Sequence, residues 1–171
     1  MKIPDLNQLE HHHFFNRYIE IIPPGMSLTR ALNAGKSAVI NFFSEIPEEK
    51  LAYKYEADKW TIKEVLQHII DTERIFAYRV FRIARGDKTS LADFEQDIYI
   101  DSSLANKKTR KELLEEFIAV RKATLSLINS LSDEGLKNMG FSSNYPLSAR
   151  AAAFIIAGHE LWHIKIIKER Y

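Results

Sequence analysis

The stretch Gly158-His159-Glu160-Leu161-Trp162-His163-Ile164 decides how this chain is read. A helix turns about 100° per residue, so His159 and His163, four apart, stand about 40° and ~6 Å from each other on one face. The same face carries Ala152, Ile155, Ile156, Ile166 and Ile167, so two imidazoles interrupt an apolar stripe. Burying two rings without partners is costly. Ligation of a metal ion together with a third histidine from another helix would satisfy both, and would leave a coordination position open for water or substrate. Apart from the run His11-His12-His13, the remaining histidine is His68, which makes it the candidate third ligand.

The pentapeptide His159-Glu160-Leu161-Trp162-His163 also matches the H-E-x-x-H pattern of zincin proteases, in which the glutamate is a general base. Zincins take a further ligand downstream, but only eight residues follow His163, and Glu169 among them lies about 120° around the helix. No strand pattern supplies a protease cleft. Glu160 is left with two roles, a base or ligand-orienting group, or a carboxylate at the edge of the buried face.

Outward from this stretch the chain reads as four long helices. Leu28, Ala31, Leu32, Gly35, Ala38, Val39, Phe42, Phe43 and Ile46 recur at helical spacing between Pro24-Gly25 and Pro47. The second helix is marked by the capping box Thr61-x-x-Glu64 and by a hydrophobic staple of Trp60 with Val65, and it ends at Gly86. A second capping box, Thr109-x-x-Glu112, opens the third helix, whose apolar side runs from Leu113 and Phe117 to Ile128 and Leu131 and stops near Ser132. The fourth begins around Ser148, after Pro146, and continues almost to Tyr171. Between the second and third helices, Gly86 to Lys108 can extend ~75 Å, against ~36 Å for a helix of this length. That connection can return along the bundle and make the two helices parallel neighbours. Its Phe94, Asp97 and Tyr99 are candidates to wall a pocket.

Composition narrows the function. The chain of 171 residues supports one domain, 1–171, with residues 1–25 as an N-terminal arm. Lys and Arg total 24 against 23 for Asp and Glu, which offers no basic excess for nucleic acid or an anionic membrane. The absence of cysteine excludes disulfides, thiolate ligands and a protein thiol nucleophile. With no signal pattern and no apolar run of ~20 residues, the expectation is a soluble, cytoplasmic protein acting on a small molecule. The run His11-His12-His13 reads as part of a surface arm, away from the site. His68 lies about 60° from Val65 at the flank of its stripe, stacked with Thr72 and Arg79, where a side chain can face a cleft. Glu73 falls within a stripe of Ile69, Ile70, Phe76 and Ala77 and needs a partner. Arg150, or an imidazole N–H beside a metal, is the candidate.

These residues resemble a known family. Trp60-Thr61-Ile62-Lys63-Glu64-Val65-Leu66-Gln67-His68-Ile69-Ile70-Asp71-Thr72-Glu73-Arg74, then Tyr78-Arg79, and later Ala157-Gly158-His159-Glu160-x-x-His163-Ile164 look like the DinB superfamily, over nearly the whole chain. The resemblance implies an all-α four-helix bundle of up-down-down-up topology and a homodimer. It also implies a divalent ion, zinc or nickel foremost with manganese or iron as alternatives, on His68, His159 and His163. The superfamily includes YfiT-like metal-dependent hydrolases and S-transferases that use a low-molecular-weight thiol. The implied activity is therefore transfer of such a thiol to a small electrophile, or hydrolysis, with Glu160, Asp71 or the crossover positioning the nucleophile. The other class left open is a non-enzymatic metal- or small-ligand-binding stress-response module. Exposed apolar residues on the crossover or first helix are candidates for a dimer seam.

Overall fold

Each of the four long helices starts where a hydroxyl can accept from an orphan amide. In the computed structural model, which describes residues 1–2 and 5–171, Ser27, Thr61, Thr109 and Ser148 are the N-caps of α2 (Leu28–Glu45), α3 (Ile62–Ala84), α5 (Arg110–Asn129) and α7 (Ala149–Arg170). Residues 3–4 of the N-terminal arm lie outside the described part. Both expected capping boxes form: the Thr61 and Thr109 amides donate to Glu64 Oε2 and Glu112 Oε2, each at 2.7 Å. Short elements complete the chain: α1 (Asn16–Ile19), α4 (Gln96–Ser103), α6 (Asp133–Lys137), and the strands β1 (Met139–Ser142) and β2 (Tyr145–Ser148).

Contacts at the helix ends fix the topology. Tyr171 donates to the Trp60 carbonyl at 2.6 Å, so the end of α7 meets the start of α3 and the two are antiparallel. Lys63 donates to the Lys108 carbonyl at 2.8 Å, which puts the starts of α3 and α5 together and makes them parallel. Arg110 donates to the Ser44 carbonyl at 3.2 Å, setting the start of α5 against the end of α2. Lys168 stands 5.5 Å from the Phe42 ring, so α2 and α7 end at the same level. The order is up-down-down-up, and the crossover that permits it covers the length of the bundle. It leaves α3 at Gly86, pairs Leu91 with the β1 end (Leu91 N–H to Phe141 O, 2.9 Å), and folds α4 in passing. It returns to the α3 start, where Thr61 donates to Asn106 Oδ1 at 2.8 Å.

The sequence pattern showed no strands, but among the described residues the structure adds the hairpin β1–β2, paired from Met139↔Ser148 to Ser142↔Tyr145. Its two-residue loop is Ser143 and Asn144, both at positive φ (51° and 65°). That is the backbone of a primed hairpin turn, a signal too short for periodicity to reveal. No helix among the described residues is long and apolar enough to cross a membrane.

The core is in two parts with a charged layer between them. One apolar cluster joins Leu32, Phe76, Ile128 and Ile156; the other joins Val39, Ile70, Phe117 and Ile164. Each long helix places a residue of this layer between the two clusters in sequence: Gly35 on α2, Glu73 on α3, Arg121 on α5 and Glu160 on α7. Gly35 is required there, because a Cβ would stand 1.7 Å from Glu160 Oε1. Gly158 has a similar role on the outer side of α7, where a Cβ would meet the Tyr18 carbonyl oxygen at 1.6 Å. Its absence lets the backbone of α1 lie directly on α7, and Ile19 and Ile22 of the N-terminal segment are buried in the first cluster.

Candidate metal centre and its cavity

α3 and α7 bring the three predicted histidines together. His159 Nε2 lies 3.1 Å from His68 Nε2 and 3.0 Å from His163 Nε2, and one ligand atom from each ring falls within 4.8 Å of the others. A ring nitrogen has a single in-plane site, either an N–H or a lone pair. By hydrogen bonding alone, His159 Nε2 therefore serves one of its two neighbours and leaves the other contact unsatisfied. A shared cation satisfies all three. Three nitrogens at ~2.0–2.1 Å from one tetrahedral ion stand about 3.3 Å apart, so the 3.1 and 3.0 Å spacings fit such a group directly, and the third, within 4.8 Å, would close on binding. Imidazole donors suit zinc, nickel and iron better than magnesium or calcium.

Electrostatics keeps the rings ready as ligands. Burial, with the neighbouring His163, lowers His68 to about 3; burial lowers His163 to about 4 and His159 well below its ordinary value. All three are neutral at pH 7. The Thr72 hydroxyl is 3.4 Å from His68 Nδ1, where it can accept the Nδ1–H and leave Nε2 free to ligate. Trp60 and Tyr18 shield the cluster, with ring centroids 4.7 Å from His68 and 5.1 Å from His159.

The cluster opens on a cavity of about 560 Å³, the size of a small-molecule site. Its apolar wall is aromatic, with Phe15, Phe76 and Phe94 beside Ile155, and Thr72 and Arg79 continue the α3 face that carries His68. Phe94 is there as the crossover suggested. Asp97 and Tyr99 are not on the wall, although the Tyr99 ring packs 5.7 Å from Phe94. The N-terminal arm is closer to the site than a surface arm would be. His12 lines the cavity and stacks on Tyr145 at 4.1 Å, and Tyr18 is on the same wall.

Glu160 faces away from this cavity. Its carboxylate is fully buried and accepts from Arg121 Nη2 at 2.7 Å and Nη1 at 3.1 Å. Of the two roles the sequence leaves open, this geometry favours packing. Arg121 also donates to both Glu73 oxygens at 2.8 Å and to the Leu32 carbonyl at 2.6 Å. Glu73 therefore has its partner on α5, not Arg150 or an imidazole as expected, and Arg150 pairs with Glu10 instead. Burial pulls against the Arg121 charge, but the two carboxylates hold it firmly protonated. Burial pushes Glu160 up to about 7 against the pull of Arg121, with Glu73 adding repulsion. Asp71 is bound by Gln67 and Arg74 and is not on the cavity wall. Arg121 was missed by sequence reasoning. The signal was an arginine four residues after Phe117 and three before Thr124, in the apolar register of the third helix, opposite two unmatched buried carboxylates.

Fold and site together define the class. The DinB superfamily model matches residues 31–167, and the chain belongs to that family. Among solved structures it is similar to YfiT from Bacillus subtilis, described as a probable metal-dependent hydrolase with an unusual four-helix bundle topology. The TM-score is 0.74 at 13% identity, over 86% of this chain and 90% of that one. It is also similar to a mycothiol-dependent maleylpyruvate isomerase, with TM-score 0.65 and 10% identity, over 95% of this chain and 60% of that one. At such identities the likeness is one of fold. No curated protein sequence matches the chain.

The buried charges lead to two expected outcomes. Arg121→Met leaves two carboxylates unpaired and should cost about 3–5 kcal/mol in urea denaturation at neutral pH; adding Glu73→Gln and Glu160→Gln should restore much of it. For the metal-free protein, unfolded histidines take up protons near pH 6.5, whereas the folded ones stay neutral until about 4 or below. Their contribution is therefore full above pH 6.5 and is lost as pH falls. Stability should drop by up to about 4 kcal/mol per pH unit between pH 6 and 4.5, and His163→Gln should remove about one proton from that slope.

Proposed function

We propose that the protein is a metal-dependent enzyme in which His68, His159 and His163 hold one divalent ion and activate a low-molecular-weight thiol, or water, to attack a small electrophile in the adjoining cavity. The observation that carries this reading is His159 Nε2, placed within 3.1 Å of two other ring nitrogens that it cannot serve together. When bound, the ion would supply positive charge that stabilises a thiolate or hydroxide near neutral pH. The protein supplies the setting. Three neutral imidazoles leave that charge uncompensated, Thr72 orients His68, and Trp60 and Tyr18 limit water beside the rings. Among the described residues the cluster contains no fourth His, Cys, Asp or Glu, which favours an open coordination position over a closed structural site.

Thiol transfer is the stronger of the two chemistries. A thiol needs a smaller drop in pKa than water does to ionise at neutral pH, and Glu160, the carboxylate next to the ligands in sequence, is engaged by Arg121. The chain contains no cysteine, so the thiol is a diffusible cosubstrate. Zinc and nickel are the foremost ions for this donor set. A homodimer belongs to the proposal on the family resemblance alone; equilibrium sedimentation at micromolar protein should give a dimer, and a monomer would remove that part.

The central test is metal analysis of untagged protein, followed by turnover with an electrophile panel and several thiols. One ion per chain is expected at the cluster, with affinity more than ~100-fold weaker in His68→Ala, and turnover in the metal-loaded form alone. Glu160→Gln should stay within a few-fold of wild type, since removing a general base would cost roughly 10²–10⁴-fold. Unchanged metal affinity in His68→Ala would show the site to be misassigned. Failure of the loaded protein on every thiol and hydrolytic substrate would leave a binding module.

A further inference from the structure

We propose that the cavity takes an organic anion with an apolar body, whose carboxylate is bound by Arg79 while the body extends along the aromatic wall towards the three histidines. The direction of the ligand rests on the metal-site reading above; the carboxylate site rests on Arg79 itself.

Arg79 and Arg121 are the two deeply buried arginines among the described residues, 3% and 0% exposed, and they are treated differently. Arg121 is matched by two carboxylates and a carbonyl. A guanidinium has five N–H groups, but Arg79 makes one hydrogen bond among the described residues, from Nη2 to the Ala92 carbonyl at 3.1 Å. The nearest carboxylate, Asp93, stands 3.7 Å away with its side chain 74% exposed. Solvent therefore screens that pair. The guanidinium carbon lies over two aromatic rings, Phe76 at 4.7 Å and Phe94 at 5.6 Å. The N–H groups beyond the one given to Ala92 are left for a ligand, on a residue that lines the cavity. Burial also pulls its pKa down, and Asp93 offsets this incompletely.

Helix geometry places Arg79 relative to the histidines. Arg79 follows His68 by 11 residues, which is about 20° around the helix and ~16 Å along it. Side chains on a helix lean towards its N-terminus, so the guanidinium of Arg79 reaches back towards His68. Thr72 and Phe76 lie between them on the same wall. One stripe of α3 thus has a candidate ligand at one end, an aromatic surface in the middle, and at the other end a buried cation whose nearest carboxylate is exposed. Arg17, Asp93 and Glu95 also border the cavity, but all are exposed and their charges are screened. A planar carboxylate fits the free edge of a guanidinium through two parallel hydrogen bonds. It would also supply the close counter-charge that Asp93, 3.7 Å away and exposed, provides only in part.

The test compares 4-phenylbutyrate with 4-phenylbutan-1-ol by isothermal titration of the full chain at low salt, metal-free and zinc-loaded. The carboxylate should bind about 10- to 100-fold more tightly than the alcohol in wild type. Arg79→Met should bind the two alike, and Arg79→Lys should keep part of the preference. The wild-type comparison needs no variant, so it stands even if Arg79→Met fails to fold. Equal affinity of the two probes, no detectable binding of either at millimolar concentration, or a preference that persists in folded Arg79→Met would each overturn the proposal. Because the metal-free form is measured, a chain that takes no zinc yet prefers the carboxylate keeps the Arg79 site and loses the metal-site reading.

Discussion

One side chain touches all four long helices. Arg121 belongs to α5, binds Glu73 on α3 and Glu160 on α7, and donates to the Leu32 carbonyl on α2. A buried ion network of this kind contributes less to net stability than to the uniqueness of the packing, because its members are costly to bury in any other arrangement. Apolar helices can rotate or slide past one another at modest cost. Here a sliding helix would strand a charge. The rotation of α7 is therefore set by Glu160, which turns inwards to Arg121 through the space that Gly35 leaves, and the neighbouring His159 and His163 consequently face the cavity.

The site combines two opposed treatments of buried polar groups. In the charged layer, opposite charges are matched inside the protein. Among the histidines, burial removes charge and leaves neutral donors whose contacts cannot all be met by hydrogen bonds. The first arrangement is complete in itself, while the second calls for a ligand. A depressed pKa has the same meaning in both fold and chemistry: the protein has spent stability to hold these rings uncharged in positions that packing alone does not reward.

Much of this was legible in the sequence because it is written in local patterns. Helical periodicity, the two Thr-x-x-Glu boxes and the i, i+4 histidine pair are short-range features, and the boundaries of α3 and α7 agree with them to within a residue or two. The long crossover allowed parallel α3 and α5. Partner choice was not legible in this way. Glu73 was correctly marked as needing a cation, but Arg121 is 48 residues away on a helix whose neighbours only the assembled bundle defines. The same holds for the N-terminal segment: His12 and Tyr18 carry no motif that would direct them to the cavity. Gly158 does carry the information, but as a missing Cβ, which no periodicity reports.

The close approach of α1 to α7 at Gly158 has a consequence for folding. Tyr18 and His12 are synthesised before the helix that Tyr18 lies on and the hairpin that holds Tyr145. The pocket is thus bounded by contacts of very long sequence separation, the kind whose loop-closure entropy slows folding. Without α7, Tyr18 lacks the helix it packs on, while Phe15 keeps its contact with Phe76 of α3. Loss of α7 would therefore uncover Tyr18 and the cavity wall beside it, apolar surface of the kind that makes incompletely folded chains prone to aggregate.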